Sequence, residues 1–126
     1  MIKETIERLL SKAIGEARLE NRSIELTRPT NLSHGDYSTS IALLLAKEES
    51  KSAVEVAREI VAALQPNLPF EIATVKVAAP GFINFSLARN YQLDNLQRLI
   101  AAGSDFGKNC LLQGKKVMIE YTNPNP

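Results

Sequence analysis

The sequence has no tryptophan, one cysteine and one histidine in 126 residues. The single cysteine, Cys110, excludes an intrachain disulfide and suits a reducing cytosol. Its plain role is that of a small apolar residue near a loop. The single histidine, His34, has no second imidazole and no paired acidic cluster to work with, which argues against metal or acid–base chemistry. Aromatic residues amount to 6%, and a chain of this length supports a core but not a large one. A surplus of charge is also missing: 15 basic against 14 acidic residues give a net charge of +1. Domains that live on phosphate contacts are usually clearly basic, so any RNA contact here adds locally to a grip made elsewhere. No apolar run approaches the length that spans a bilayer. The start, Met1-Ile2-Lys3-Glu4, mixes acidic and apolar residues and is not a signal peptide. There is no Walker loop, no Gly-x-Gly-x-x-Gly and no nucleophile–base–acid set. A soluble, cytoplasmic chain follows, with one domain, a short extra segment, and no catalysis, metal or cofactor of its own.

What is present is a run of patterned segments. Ile2, Ile6, Leu9, Leu10, Ala13, Ile14 and Ala17 recur at three- and four-residue steps and predict an amphipathic helix. Ile24 to Thr27 has short strand character and stops before Pro29, and residues 30–36 are turn-formers. Asp36 is placed to N-cap a second, well-buried helix from Tyr37 to about Lys47. Ser52 and Glu55 form a capping box for a third helix, with Val56, Ala57, Ile60, Val61 and Leu64 as its stripe and Pro66 as its stop. Phe70–Ala79 and Phe82–Leu87 read as strands joined by Pro80-Gly81, an antiparallel hairpin. A fourth helix covers about Asn90 to Ala102, with Leu93, Leu96, Leu99 and Ile100, and Gly103 at its C-terminal cap. A polar linker leads to a strand at about 117–121 and a Thr-Asn-Pro-Asn-Pro ending. The order α-β-α-α-β-β-α is not that of a doubly wound sheet. It predicts an α+β fold: a small antiparallel β-sheet with α-helices packed on one face and the other face left to solvent or a partner.

Alternation along a strand puts Ile83, Phe85 and Leu87 on the core side and Phe82, Asn84 and Ser86 on the other. An outward ring one step from an outward amide suits an unstacked base, with a stacking platform and a donor–acceptor group. Periodicity alone favours the plainer reading, in which Phe82 tucks under a loop and Asn84 caps a turn, because exposed aromatics beside turns are common. His34-Gly35-Asp36-Tyr37 reads as a glycine turn, an Asp cap and a Tyr opening a buried helix. The ending from Tyr121 to Pro126 reads either as a plain linker or as a substrate loop at the end of a parallel strand.

Three segments, in order and spacing, resemble the N-terminal region of arginyl-tRNA synthetases. They are His34-Gly35-Asp36-Tyr37-Ser38-Thr39 with the helix after it, Ala79-Pro80-Gly81-Phe82-Ile83-Asn84-Phe85, and Val117-Met118-Ile119-Glu120-Tyr121-Thr122-Asn123-Pro124-Asn125. The Pro-Gly-Phe-Ile-Asn-Phe run is the most specific. The resemblance implies a class I synthetase that joins arginine to tRNA-Arg using ATP with Mg²⁺. It further implies that residues 1–103 are a tRNA-contacting domain, 104–115 a linker, and 116–126 the first strand and the start of the substrate loop of a catalytic domain. In that family the Phe and the amide of this segment meet a D-loop nucleotide, which reverses the preference for the plain reading of Phe82 and Asn84. Gly81, Lys76 and Arg89 join them as expected tRNA contacts, and Lys108, Lys115 and Lys116 are further basic candidates. Ala79 stands where relatives vary and offers no polar side chain. Asn123 and Asn125 match positions at the amino-acid pocket of the complete enzymes, Asn125 being the stronger arginine contact. The His-x-Gly-His and Lys-Met-Ser-Lys-Ser motifs do not occur in these 126 residues. The implied partners are tRNA-Arg and the remainder of the same chain, in a monomer with no membrane. The competing readings are a structural module that packs on the rest of the synthetase, and a free-standing RNA-binding protein. Residues 104–126 are expected to be unordered in isolation, because the last strand lacks neighbours.

Overall fold

A computed structural model describes residues 1–20 and 22–119. The elements are α1 (Ile2–Ile14), α2 (Glu16–Leu19), β1 (Tyr37–Thr39), α3 (Ile41–Glu49), α4 (Ala53–Leu64), β2 (Ile72–Ala78), β3 (Phe82–Leu87) and α5 (Arg89–Ala102), with three short 3-10 turns between or after them. The fold is α+β. The sheet order is β1-β3-β2, antiparallel throughout, so β3 is central.

The helices form where apolar spacing and caps agree. Ile6, Leu10 and Ile14 are buried one turn apart along α1, which closes at Gly15 (φ 87°), whose N–H donates to the Ser11 carbonyl at 2.9 Å. The chain then restarts as the separate single turn α2, so the helix read through Ala17 is broken in two. In α4 the capping box is present: the Glu55 N–H donates to Ser52 Oγ at 3.2 Å, and the Ser52 N–H donates to Glu55 Oε2 at 2.9 Å. Val56, Ala57, Ile60 and Leu64 are buried, and the helix ends before Pro66. In α3, Ile41, Ala42, Leu45 and Ala46 are buried while Leu44 is exposed. Together with Val75, Ile83 and Phe85 from the sheet, these side chains make one core. Arg18 fastens α2 to the α3–α4 layer, with Nε and Nη2 donating to the Glu49 carboxylate at 2.5 and 2.6 Å and Nη2 also to Glu59 Oε2 at 3.2 Å.

The expected helix from Tyr37 begins instead at Ile41, and Tyr37–Thr39 is a strand. The cause is the turn before it. Gly35 (φ 81°) lies so close to β3 that a Cβ there would sit 2.6 Å from the Phe85 carbonyl oxygen. The Asp36 N–H then donates to that carbonyl at 2.8 Å, and the Asp36 carboxylate accepts from the Leu87 N–H at 2.7 Å. Asp36 therefore extends the ladder rather than capping a helix. The register follows: Tyr37 opposite Phe85, Ser38 opposite Asn84, Thr39 opposite Ile83.

The expected strand at Ile24–Thr27 shrinks to one bridge. Thr27 and Ser38 exchange N–H to carbonyl bonds, both at 2.9 Å, before Pro29 removes the next donor. The helix read over about Asn90–Ala102 is present as α5, but none of its residues is buried: Leu93, Leu96, Leu99 and Ile100 all face solvent. Residues 117–119 of the expected last strand are exposed and pair with nothing among the described residues; the rest of that strand lies outside them.

Candidate nucleic-acid interface

Strand β3 sorts its side chains as alternation requires. Ile83 and Phe85 are fully buried, whereas Phe82 is 37% exposed, and Asn84 and Ser86 are partly exposed on the other face. In register with β3, that outer face also carries Ser38 from β1, and Lys76 and Ala78 from β2. It is not a bare plane. The ribbon from Thr27 to Asn31, together with His34, walls one side of a hollow of about 370 Å³, and Ser38, Ala78, Ala79, Phe82 and Asn84 complete it. That wall explains why Ser38 is only 8% exposed on a face otherwise open.

Asn84 is held in place. Ser38 Oγ donates to Asn84 Oδ1 at 2.7 Å, and the amide nitrogen donates to no protein group among the described residues. The hollow thus offers a ring face (Phe82), two N–H donors (Asn84), the hydroxyl of Thr27, and the polar side chains of Asn31 and His34; Lys76 pairs with Asn84 across the ladder but does not line the hollow. This set suits a flat, polar, unstacked ring.

The other expected residues are placed unevenly. Gly81 is buried rather than presented. A Cβ on it would lie 2.6 Å from the Ala53 Cβ and 3.1 Å from the Ala53 backbone, so this glycine lets the hairpin turn press on the start of α4 and fixes where Phe82 stands. Arg89 begins α5 beyond the far end of β3, seven residues past Phe82, about 20 Å away along an extended chain. It does not join the hollow. Lys108, Lys115 and Lys116 are exposed. Asn123 and Asn125 lie outside the described residues. No group of three or more His, Cys, Asp or Glu side chains comes together among the described residues, and none of their helices is long and apolar enough to cross a membrane. Sequence reasoning missed Ser38, Thr27 and Asn31. Ser38 was missed because a helix was expected from Tyr37, where the structure has a strand that sets Ser38 beside Asn84.

The comparisons with known proteins bear on this geometry. A family profile described as "Arginyl tRNA synthetase N terminal domain" matches residues 1–87, which takes in every element from α1 to β3. The chain belongs to this family. The arginine–tRNA ligase of Chlorobium phaeobacteroides is 36% identical over 118 residues, covering 94% of this chain and 20% of that protein. The arginine–tRNA ligase of Caldanaerobacter subterraneus is 34% identical over 131 residues, covering 98% and 23%. The chain therefore spans about a fifth of the length of the curated relatives it matches. Among solved structures, Thermus thermophilus arginyl-tRNA synthetase superposes with a TM-score of 0.63 at 25% identity, covering 75% of this chain and 15% of that one. The arginyl-tRNA synthetase from Plasmodium falciparum also gives 0.63, at 20% identity, covering 78% and 18%, a likeness of fold. The hollow in front of Phe82 lies within the segment that defines the arginyl-tRNA synthetase N-terminal domain, whereas α5 lies beyond it.

Proposed function

We propose that this chain is the tRNA-contacting N-terminal domain of an arginine–tRNA ligase, and that its open sheet face meets an unstacked nucleotide in the D-loop of tRNA-Arg. The observation that carries this reading is a half-exposed phenylalanine beside a hydrogen-bonded but donor-ready amide, both on the central strand and facing away from the core. Phe82 stacks on the base. Asn84, steadied by Ser38, donates to the base edge. Lys76 answers the adjoining phosphate. The complete enzyme joins arginine to the tRNA with ATP and Mg²⁺ in the cytoplasm, acting as a monomer, with the positions of Asn123 and Asn125 at the amino-acid pocket. This domain supplies orientation and no chemical step. Its near-zero net charge makes its own grip weak.

Titrating the chain with a tRNA-Arg transcript at low salt, followed by amide chemical shifts, tests this reading. Shifts centred on Phe82, Asn84 and the 80–81 turn, lost when the D-loop is altered, are expected. Shifts that are absent there, or unmoved by a changed D-loop, would sink it.

A second reading, a packing module for the rest of the synthetase, is favoured by one observation. The leucines of α5 are uncovered, Leu96 being 51% and Ile100 68% exposed. The two readings separate on Phe82→Ala. Base contact predicts lost charging by the complete enzyme at unchanged stability, and packing predicts lost stability.

A further inference from the structure

The ribbon that walls the Phe82 hollow has a second side. Thr27 and Pro29 line that hollow, but Leu26 and Arg28, alternating with them, line another of about 690 Å³. This second cavity sits between the start of α1, β1 and the inward face of α5. Three of its lining side chains are cations (Lys3, Arg28, Arg98) and three are rings (Tyr37, Tyr91, Phe106); no Asp or Glu lines it. Arg28 lies over Tyr37, its guanidinium carbon 5.4 Å from the ring centroid, and Nη2 donates to the Tyr37 hydroxyl at 3.2 Å. Among the described residues neither Arg28 nor Arg98 forms a salt bridge, and Lys3 has only Glu7, at 3.9 Å. The one carboxylate that acts on Arg28 from nearby, Asp36, is taken up by the Leu87 N–H and Gln92.

The face that α5 turns toward this cavity is its polar one: Tyr91, Asn95 and Arg98 recur at helical steps of four and three, while Leu93, Leu96 and Ile100 point elsewhere. A helix that only needed to bury itself would present its leucines. Cations without acidic partners, gathered beside aromatic faces in a cavity of nucleotide size, are a combination that binds a phosphate next to a base.

We propose that this cavity is a second ribonucleotide site. Arg28 and Arg98 hold a phosphate, Lys3 adds charge, and the base lies against Tyr91 and Phe106. The shared ribbon makes one RNA, crossing from the Phe82 hollow, the favoured source; in that respect the proposal rests on the function proposed above. Arg98 and Lys3 are exposed, so substituting them leaves the core alone.

The test uses the full chain, two probes and two variants. Nuclear magnetic resonance follows Tyr91, Asn95, Arg98 and Phe106 separately from Phe82 and Asn84, with a tRNA-Arg transcript in one arm and adenosine 5′-monophosphate in the other. Shifts of the first group are expected with the transcript. Arg28→Ala with Arg98→Ala should weaken transcript binding about tenfold and lower the salt slope by about two, while the Phe82 shifts persist. Arg98→Glu alone, checked for an unchanged melting curve, gives the same direction should Arg28→Ala unfold the chain. Shifts of the first group with the mononucleotide only would confirm the site and make a free nucleotide its occupant. Transcript shifts confined to Phe82 and Asn84, with no response to the mononucleotide, would overturn the second site and leave the first reading standing. Shifts confined to the α5 side would do the reverse.

Discussion

Phe82 and Phe85 lie three residues apart on one strand and should respond oppositely to truncation. Phe85 is fully buried, so Phe85→Ala is expected to cost about 3–5 kcal/mol and to show as a large fall in melting temperature. Phe82 is partly exposed at a turn. Phe82→Ala should move stability by less than about 1 kcal/mol while weakening tRNA binding about tenfold, the loss of one stacked base. Calorimetry with a binding isotherm on both variants decides it. Gly81 makes a third case. Gly81→Ala puts a methyl group 2.6 Å from Ala53, against a helix start that cannot retreat freely, and should destabilise by about 1–3 kcal/mol in thermal denaturation. Alternation made the facing of Phe82 and Asn84 readable, because a strand has only two faces. The close approach of Gly81 to Ala53 was not readable, since it depends on how a hairpin and a helix from separate parts of the chain come together. The same holds for the Ser38–Asn84 hydrogen bond, which joins residues 46 positions apart.

Among the elements, α4 was the most legible. Its cap, stripe and stop are all local, and each forms as its residues suggest. Ser52→Ala removes the acceptor for the Glu55 N–H and should cost about 1 kcal/mol, measured as a shift in denaturation midpoint. The start of α3 was misread because Asp36 offers two local fates, helix cap or ladder extension. The deciding partner, the Leu87 N–H, lies 51 residues away. Tertiary pairing overrode a cap signal that was sound on its own terms. Residues 117–119 fail as a strand for the matching reason: β-rich composition forms nothing without a neighbour to pair with. Helix α5 was found by its periodicity, but periodicity does not say which body a leucine stripe faces. Leu96→Gln should therefore leave the melting temperature of this chain within about 1 °C; a drop of several degrees would mean the stripe is covered within the chain itself.

For the molecule as a whole, one cluster of charges joins the helices to one another. Arg18 bonds both Glu49 and Glu59, and Lys51 bonds Glu59, across α2, α4 and the end of α3. The Arg18 hydrogen bonds hold the Glu49 carboxyl below its ordinary value, and the Lys51 bond does the same for Glu59. A carboxylate lowered on folding adds stability that is present above its unfolded value, about 4.3, and is lost as pH falls through its folded value. The melting temperature should hold from pH 7 to about 5 and fall below about 4.5, with a shallower fall in Arg18→Ala. A profile in Arg18→Ala that overlays the wild type would remove this cluster as the cause. The central position of β3 has its own consequence in time. Asn84 is bonded on both edges, to β1 and to β2, and Phe82 on one, to β2, so the backbone that carries the ring and amide is set before any partner arrives. An encounter then needs no rearrangement, and a weak grip expresses itself as quick release rather than slow capture. If the proposed function holds, such a surface would meet its RNA at every pass and not delay its departure.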